Sequence, residues 1–342
     1  MEKILVLTHV DESGVALTRA SLESVAAGVE FASAASAALV IGILGANTEA
    51  AAHSVAGAAK RVLTVSGEAF AQARYASDAA ACEAMCRAAE ATMVYAPESS
   101  RFARVLPGVA YRLGGFADTH ITALSKGDSL AATRWFYRQR VEAVLQRTTR
   151  PWFLLLEGGT REPWAAKTET VQAEEIAVTL PSLRTNVLGI QAPKQDEQTI
   201  RPEAKVLLVA GAGWTKKQAD GQVHSAEAEQ LILGFLHSTD ASLGSSKSLA
   251  DQSGEDQQVL KFMTHMNQIG QTGSTPRHAK GLSTCCHGEE PHVVGWRFIN
   301  DRRAISLDAN CGWSRGKADV VYVADAFKVM PKVNALLAEK KS

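Results

Sequence analysis

Near the end of the chain, Gln268-Ile269-Gly270-Gln271-Thr272-Gly273 puts two amides, a hydroxyl and two glycines into one short stretch of backbone. Glycines let backbone N–H groups approach a ligand without a Cβ in the way. Amides and a hydroxyl add donors and acceptors on short arms. Such a loop suits a neutral or anionic heterocycle with a phosphate tail better than it suits a metal. The same composition also describes a plain polar turn between two elements, so its meaning depends on its neighbours.

Three neighbouring stretches are of the same kind. Ala210-Gly211-Ala212-Gly213-Trp214 follows an apolar run and precedes a helical pattern over Ser225–Leu236. That geometry lets backbone amides and a helix N-terminus meet a phosphate or a ring, although the third glycine of a dinucleotide fingerprint is missing. Gly244-Ser245-Ser246-Lys247 is a small-residue loop with one cation, and Lys280-Gly281-Leu282-Ser283-Thr284-Cys285-Cys286-His287-Gly288 is the third. A rival chemistry sits in that last stretch. Cys285, Cys286 and His287, with His278, His292 and Cys311 nearby in sequence, are metal-ligand types. Adjacent cysteines point to different sides of a chain, however, and neither C-x-x-C nor H-x-x-x-H is present.

The elements that must carry these loops alternate between short apolar runs and helical patterns. Strands are expected at Lys3–Thr8, Ala38–Leu44, Arg61–Val65, Thr92–Ala96 and Trp152–Leu156, then at Ala204–Val209, Arg303–Leu307 and Val320–Ala324. Helices are expected at Thr18–Ala35, Asp78–Ala91, Arg104–Leu113, Ser225–Leu236 and Asp325–Leu337. The alternation predicts an α/β protein of two domains, each a mainly parallel sheet flanked by helices. Ligands in such sheets bind at strand C-terminal ends. The stretch from Glu157 to Glu203 reads as polar and irregular, and Gln191–Gln198 has a linker's composition. The expected domains are therefore 1–195 and 196–342.

The first domain offers less chemistry. His9, at a strand end, reads as a hydrogen-bonded structural residue more readily than as a functional one. Cys82 and Cys86 are spaced i,i+4 and share a helix face as small buried hydrophobes. Arg134–Arg140 mixes bases with aromatics, but it covers a few residues in a chain whose 36 basic and 36 acidic residues balance. A partner-facing or sheet-edge segment fits it better than nucleic-acid stacking. No basic face for nucleic acid and no apolar run long enough for membrane insertion is evident. Five cysteines without regular spacing do not form a disulfide framework. With a strand pattern starting at Lys3, a cytoplasmic protein is expected. No Ser-His-Asp or paired-carboxylate constellation is apparent.

Taken in order, the second-domain loops resemble the FAD domain of the electron-transfer flavoprotein α subunit family. That family shows Ser-Gly-Gly-Arg-Gly, Gly-Ala-Ser-Arg, Gln-Val-Gly-Gln-Thr-Gly, Gly-Ile-Ser-Gly-Ala-Ile-Gln-His, Ala-Ile-Asn-Lys-Asp and Val-Ala-Asp before Ala-Asp-Leu-Phe-Lys-Val-Val-Pro. The counterparts are Ala210–Trp214, Gly244–Lys247, Gln268–Gly273, Gly281–His287, Ala304-Ile-Ser-Leu-Asp308, Lys317-Ala-Asp319 and Ala324-Asp-Ala-Phe-Lys-Val-Met-Pro331. Order and approximate spacing agree from about 204 to 337. In the first domain, Leu106-Pro-Gly-Val-Ala110 with Asp118 and Ile121 is weakly similar to the family's Leu-Pro-Arg-Val-Ala segment.

The resemblance implies an FAD-binding second domain in a redox carrier that turns over no substrate of its own. It implies that Thr272 lies near flavin N5, with Gln268 and Gln271 on the ring and ribityl chain between Gly270 and Gly273. It implies Ser246 and Lys247 facing the flavin or pyrophosphate, Gly281 to Ser283 along the pyrophosphate, and Ser306, Asp308 and Asp319 toward the adenosine. The family's arginine falls at Gly213 here, followed by a tryptophan. Its loss should lower the flavin potential unless Lys216, Lys217 or Lys247 reaches in, because a cation stabilises the reduced ring. His287 falls one position from the family's histidine near flavin O2. The implied partners are a β subunit that binds AMP, a flavin-dependent dehydrogenase as donor and a membrane quinone oxidoreductase as acceptor. The alternative is a degenerate member acting as a structural or metal-binding module through Cys285, Cys286 and His287.

Overall fold

A computed structural model describes residues 2–11, 13–127, 130–136, 141–167, 171–189, 200–201, 204–251, 260–269, 278–284, 299–311, 314 and 318–341. The chain divides into two compact units, Met1–Ile190 and Gln191–Ser342. Both are α/β, with mostly parallel strands. Among the described residues, no helix is long and apolar enough to cross a membrane.

The first unit begins with β1 (Lys3–His9), α1 (Arg19–Ala35), β2 (Ala38–Gly45), α2 (Glu49–His53) and β3 (Arg61–Ser66). It continues with α3 (Tyr75–Ala88), β4 (Met93–Pro97), α4 (Ser100–Arg112) and β5 (Phe116–Lys126). The strands β6 (Leu130–Phe136), β7 (Val141–Leu145), β8 (Trp152–Leu156) and β9 (Ala173–Glu175) complete it. The sheet order is β7-β6-β5-β8-β4-β1-β2-β3-β9. All neighbours are parallel except at β5-β6 and β6-β7.

Strand alternation in β1 explains why helices cover both faces. Ile4 and Val6 join one buried cluster with Val25 and Phe31 of α1. Leu5 and Leu7 join the other, with Cys82, Met85 and Cys86 of α3 and Phe102 and Leu106 of α4. Each such fully buried side chain contributes roughly 1.5–3 kcal/mol. Burial also pushes the Cys82 and Cys86 thiols well up from their ordinary range, so both are inert hydrophobes. Thr18 caps α1 by accepting from the Ser21 N–H, and Ser99 caps α4 by accepting from Phe102.

The second unit holds β10 (Val206–Ala210), α5 (Ser225–Thr239), β11 (Ser242–Ser245) and α6 (Lys247–Asp251). It closes with β12 (His278–Thr284), β13 (Ile299–Ser306), β14 (Val320–Val323) and α7 (Ala326–Lys341). Its strands are parallel in the order β11-β10-β12-β13-β14. Strand alternation again sorts β10 between two faces. Leu208 and Ala210 pack with Ile232 and Phe235 of α5 and Met330 of α7, while Leu207 and Val209 pack with Ile269 and Ile299.

Candidate functional site

Strand order reverses between β10 and β12 in the second unit, because β11 lies on one side of β10 and the later strands on the other. In an open parallel sheet, the crevice outside the carboxyl ends at such a point is where ligands bind. Three loop segments meet there. After β10 the Gly211 N–H donates to Thr284 O at 3.0 Å, and a tight turn runs over Ala212–Thr215. Gly213 and Trp214 are buried in that turn. The Trp214 Nε1–H donates to Thr284 Oγ1 at 2.9 Å, and its ring meets Phe327 edge-on at 4.7 Å. The indole therefore anchors the turn to the core, while Lys216 and Lys217, which follow it, are exposed.

After β11 the Ser246 N–H donates to Ala210 O at 2.9 Å, and Ser246 Oγ accepts from Leu249 N–H at 3.3 Å to start α6. Lys247 is exposed at the first position of that helix. The third segment is the described part of the amide-rich loop. Thr264 and Asn267 form a reciprocal capping box. Asn267 Nδ2 donates to Leu243 O at 3.3 Å, and the Ile269 N–H donates to Ser245 O at 3.1 Å. Gly244 makes this docking possible, since a Cβ there would stand 2.7 Å from Ile269 Cγ2. Gln268 is thereby carried, buried, to the end of β11.

Several hydroxyls are buried along this edge: Ser245, Ser246, Ser283, Thr284 and Ser306. Ser306 Oγ is tied to the Asp308 backbone at 3.2 Å. The Ser245 Oγ has no hydrogen-bond partner among the described residues. Leaving a hydroxyl buried and unpaired costs about 1–3 kcal/mol. A polar ligand seated on this edge would remove that penalty, so the donor set suits a group with ring carbonyls and phosphates.

The expected site residues do not all converge. Gly213, Ser246, Lys247, Gln268, Ser306 and Asp308 lie at the carboxyl edge, with Ser283 one residue inside it. Gly281 is in the middle of β12, where a Cβ would meet Ile299 Cδ1 at 2.6 Å. Asp319 precedes β14 at the amino edge and is bonded by Arg302, with Nη2 to Oδ1 at 3.1 Å. That guanidinium and its backbone N–H hold the Asp319 carboxyl below its ordinary range. Gly270, Gln271, Thr272, Gly273, Cys285, Cys286, His287 and His292 lie outside the described residues. Of the rival metal-ligand set, His278 sits at the amino edge with Nε2 2.8 Å from Arg201 O, and Cys311 is buried.

The corresponding edge of the first unit is differently furnished. Strand order reverses there between β1 and β4. His9 Nδ1 donates to Val10 O at 3.0 Å, which leaves Nε2 to accept from Ser99 Oγ at 3.0 Å. The imidazole packs edge-on against Phe102 at 5.1 Å. Beside it, Arg101 grips Asp78 at 2.8 and 2.7 Å and donates to Phe70 O. Further along the edge, Glu98, His120 and Glu157 cluster. None of the three stood out in the sequence as a site residue. The three are distant in the chain and share no local motif.

The fold defines an α/β protein of two units, each with a mostly parallel sheet whose strand order reverses at a crevice. The electron transfer flavoprotein domain matches residues 6–183, just over half of the chain. The chain belongs to the electron transfer flavoprotein family.

Proposed function

We propose that this chain is the α subunit of an electron transfer flavoprotein and holds FAD at the carboxyl edge of its second sheet. The observation that carries the reading is the meeting of Gly211–Thr215, Ser245–Lys247 and Gln268 at one strand-order reversal, beside the Ser245 hydroxyl, which has no partner among the described residues. Bound there, the isoalloxazine supplies one- and two-electron redox chemistry that no side chain can. The chain's own part is to bind, orient and tune it. Gln268, Gly270, Gln271, Thr272 and Gly273 would clasp the ring, with the Thr272 hydroxyl toward N5 and His287 toward the pyrimidine end. Ser246, Lys247 and Ser283 would serve the pyrophosphate side, and Ser306 and Asp308 the adenosine side, whereas Gly281 lies inside β12 and Asp319 at the amino edge, away from this site. The turn at Gly213 supplies backbone and no charge, which leaves Lys216, Lys217 and Lys247 to provide positive potential. The partner would be a β subunit carrying AMP. Electrons would come from a flavin-dependent dehydrogenase and leave to a membrane quinone oxidoreductase.

The test is co-expression with a β-like partner chain and a visible spectrum of the purified complex. Flavin bands that bleach on dithionite reduction, with about one FAD released per α chain on denaturation, are the expected result. A colourless complex, or colour removed by a chelator, would overturn the reading.

A further inference from the structure

We propose that Glu98, His120 and Glu157 form a binding site for a divalent transition-metal ion of the zinc class at the carboxyl edge of the first sheet. The site is independent of the flavin reading, because it lies wholly in the first unit.

Three neighbouring strands deliver the ligands. Glu98 follows β4, Glu157 follows β8, and His120 stands in β5, with β8 between the other two. Their backbones are pinned: the Glu98 N–H donates to Leu156 O at 2.9 Å and the Glu157 N–H to Ile121 O at 2.9 Å. The register of β5 against β8 shifts between Asp118 and Ile121, and His120 has φ of 58° inside that shift. A histidine in the left-handed region is uncommon. A bulge of this kind re-aims a side chain out of the alternation of its strand. Here it turns the imidazole toward the two glutamates.

The ligand atoms all lie within 4.8 Å of one another. His120 Nδ1 is 2.6 Å from Glu157 Oε1 and 3.4 Å from Glu98 Oε1, and the His120 N–H donates to the other Glu98 oxygen. Metal–ligand bonds of about 2.0–2.2 Å place tetrahedral ligand atoms roughly 3.3–3.5 Å apart. The His120–Glu98 pair matches this at 3.4 Å, while the His120–Glu157 hydrogen bond at 2.6 Å would lengthen as an ion replaced its proton. The Glu98 and Glu157 side chains are 14% and 20% exposed, whereas that of His120 is 50% exposed. Solvent therefore reaches the cluster from the histidine side, where a water or an added carboxylate would complete the coordination.

The charge balance also favours a cation. Two carboxylates largely withdrawn from water face one imidazole. Arg134, a neighbouring cation, is turned to Asp118 at 3.7 Å and Thr119 at 3.4 Å. An ion on Nδ1 would take the place of its proton, which is released on binding. One nitrogen and two carboxylate oxygens suit zinc, cobalt or nickel, whereas magnesium and calcium take oxygen ligands.

The experiment uses the full-length purified chain, stripped with a chelator and titrated with ZnCl2 against a chromophoric competitor. CoCl2 serves as a spectroscopic probe. The expected result is one ion per chain, with cobalt bands that lack thiolate charge transfer. Glu98→Gln, Glu157→Gln and His120→Gln should each weaken binding by at least about tenfold, with circular dichroism unchanged. Cys285→Ser with Cys286→Ser should leave it intact. The Glu98→Gln/Glu157→Gln double variant preserves side-chain volume and keeps the test sound if His120→Gln misfolds. Zinc affinity equal to wild type in that double variant, dependence on the two cysteines, or absence of micromolar binding by the wild-type chain would overturn the proposal.

Discussion

The two strand-order reversals, β1/β4 in the first unit and β10/β12 in the second, are the same topological device put to opposite use. In the first, side chains fill the crevice and satisfy one another: His9 with Ser99, Arg101 with Asp78. In the second, the crevice is walled by hydroxyls on short loops, and one of them, Ser245, has no partner among the described residues. A parallel sheet offers a binding place at every such reversal. Whether the place is used depends on whether the residues at the strand ends are bonded to each other or left to meet something else.

The strongest way to break this comparison is to open the filled crevice. Arg101 and Asp78 are both buried, so Arg101→Ala leaves an uncompensated carboxylate in the core. The expected cost is about 3–5 kcal/mol, read by urea denaturation with amide exchange in β1 and β4 as the local probe. Arg101→Met combined with Asp78→Leu should recover most of it. A loss in the single variant below about 1 kcal/mol would mean that water already reaches the pair.

The second unit is probed by moving its clasp. A Cβ at residue 244 meets Ile269, which has little room to retreat from its place against Leu207 and Val209. Gly244→Val should cost about 1–3 kcal/mol through overpacking. If the second edge holds FAD as proposed, it should also lower flavin affinity by more than tenfold, because Gln268 adjoins Ile269 in the chain and moves with it. Full flavin content in Gly244→Val would show that the clasp is held elsewhere.

The comparison is sharpened by asking which cation tunes the second edge. Lys247→Gln, at an exposed position, should leave stability within about 0.5 kcal/mol. It should lower the flavin midpoint potential by more than Lys216→Gln or Lys217→Gln does, because Lys247 directly follows the buried Ser245–Ser246 pair at the end of β11. Equal potentials in all three variants and in wild type would remove lysine from the account.

Much of the fold was legible because buried parallel strands are written as continuous apolar runs. Ile4 to Leu7 and Trp152 to Leu156 show this most clearly. The antiparallel extension β5-β6-β7 was not legible. Its strands are half exposed and interleave Thr, Arg and Ser with apolar residues, so no run stands out. β9 was missed for a related reason: Ala173–Glu175 is exposed and acidic, and Arg61 helps secure it through Glu174 at 2.9 Å. In the second unit, Gly244–Lys247 and Lys280–Gly288 read as loops in the sequence, because small and polar residues interrupt the apolar run that marks a buried strand. Gly244 and Ser245 nevertheless lie in β11, and Lys280–Thr284 in β12. The role of Trp214 was not legible either. A tryptophan next to a glycine reads equally as a ring stacked on a ligand or an anchor in the core, and only its bond to Thr284 decides.

The smallest expected effect tests how completely the first crevice is closed. Burial lowers the His9 pKa, and the nearby Arg101 guanidinium acts in the same direction, while the Val10 carbonyl, Asp78 and Asp11 oppose it. The imidazole is therefore held neutral in the fold, donating to Val10 and accepting from Ser99. In the unfolded chain it titrates near its ordinary value of about 6.5. Below that pH the unfolded state takes up a proton that the folded state declines. Stability is thus lost on acidification, from about pH 6.5 down to the lowered folded-state pKa, and is fully present above that window. His9→Gln keeps a hydrogen-bonding side chain and removes the titration. Urea midpoints followed through amide exchange in β1 should fall between pH 7.5 and 5.5 by more in wild type than in His9→Gln. Parallel losses in the two proteins would mean that the imidazole is protonated in the fold as readily as in the unfolded chain, and that water enters the first crevice too.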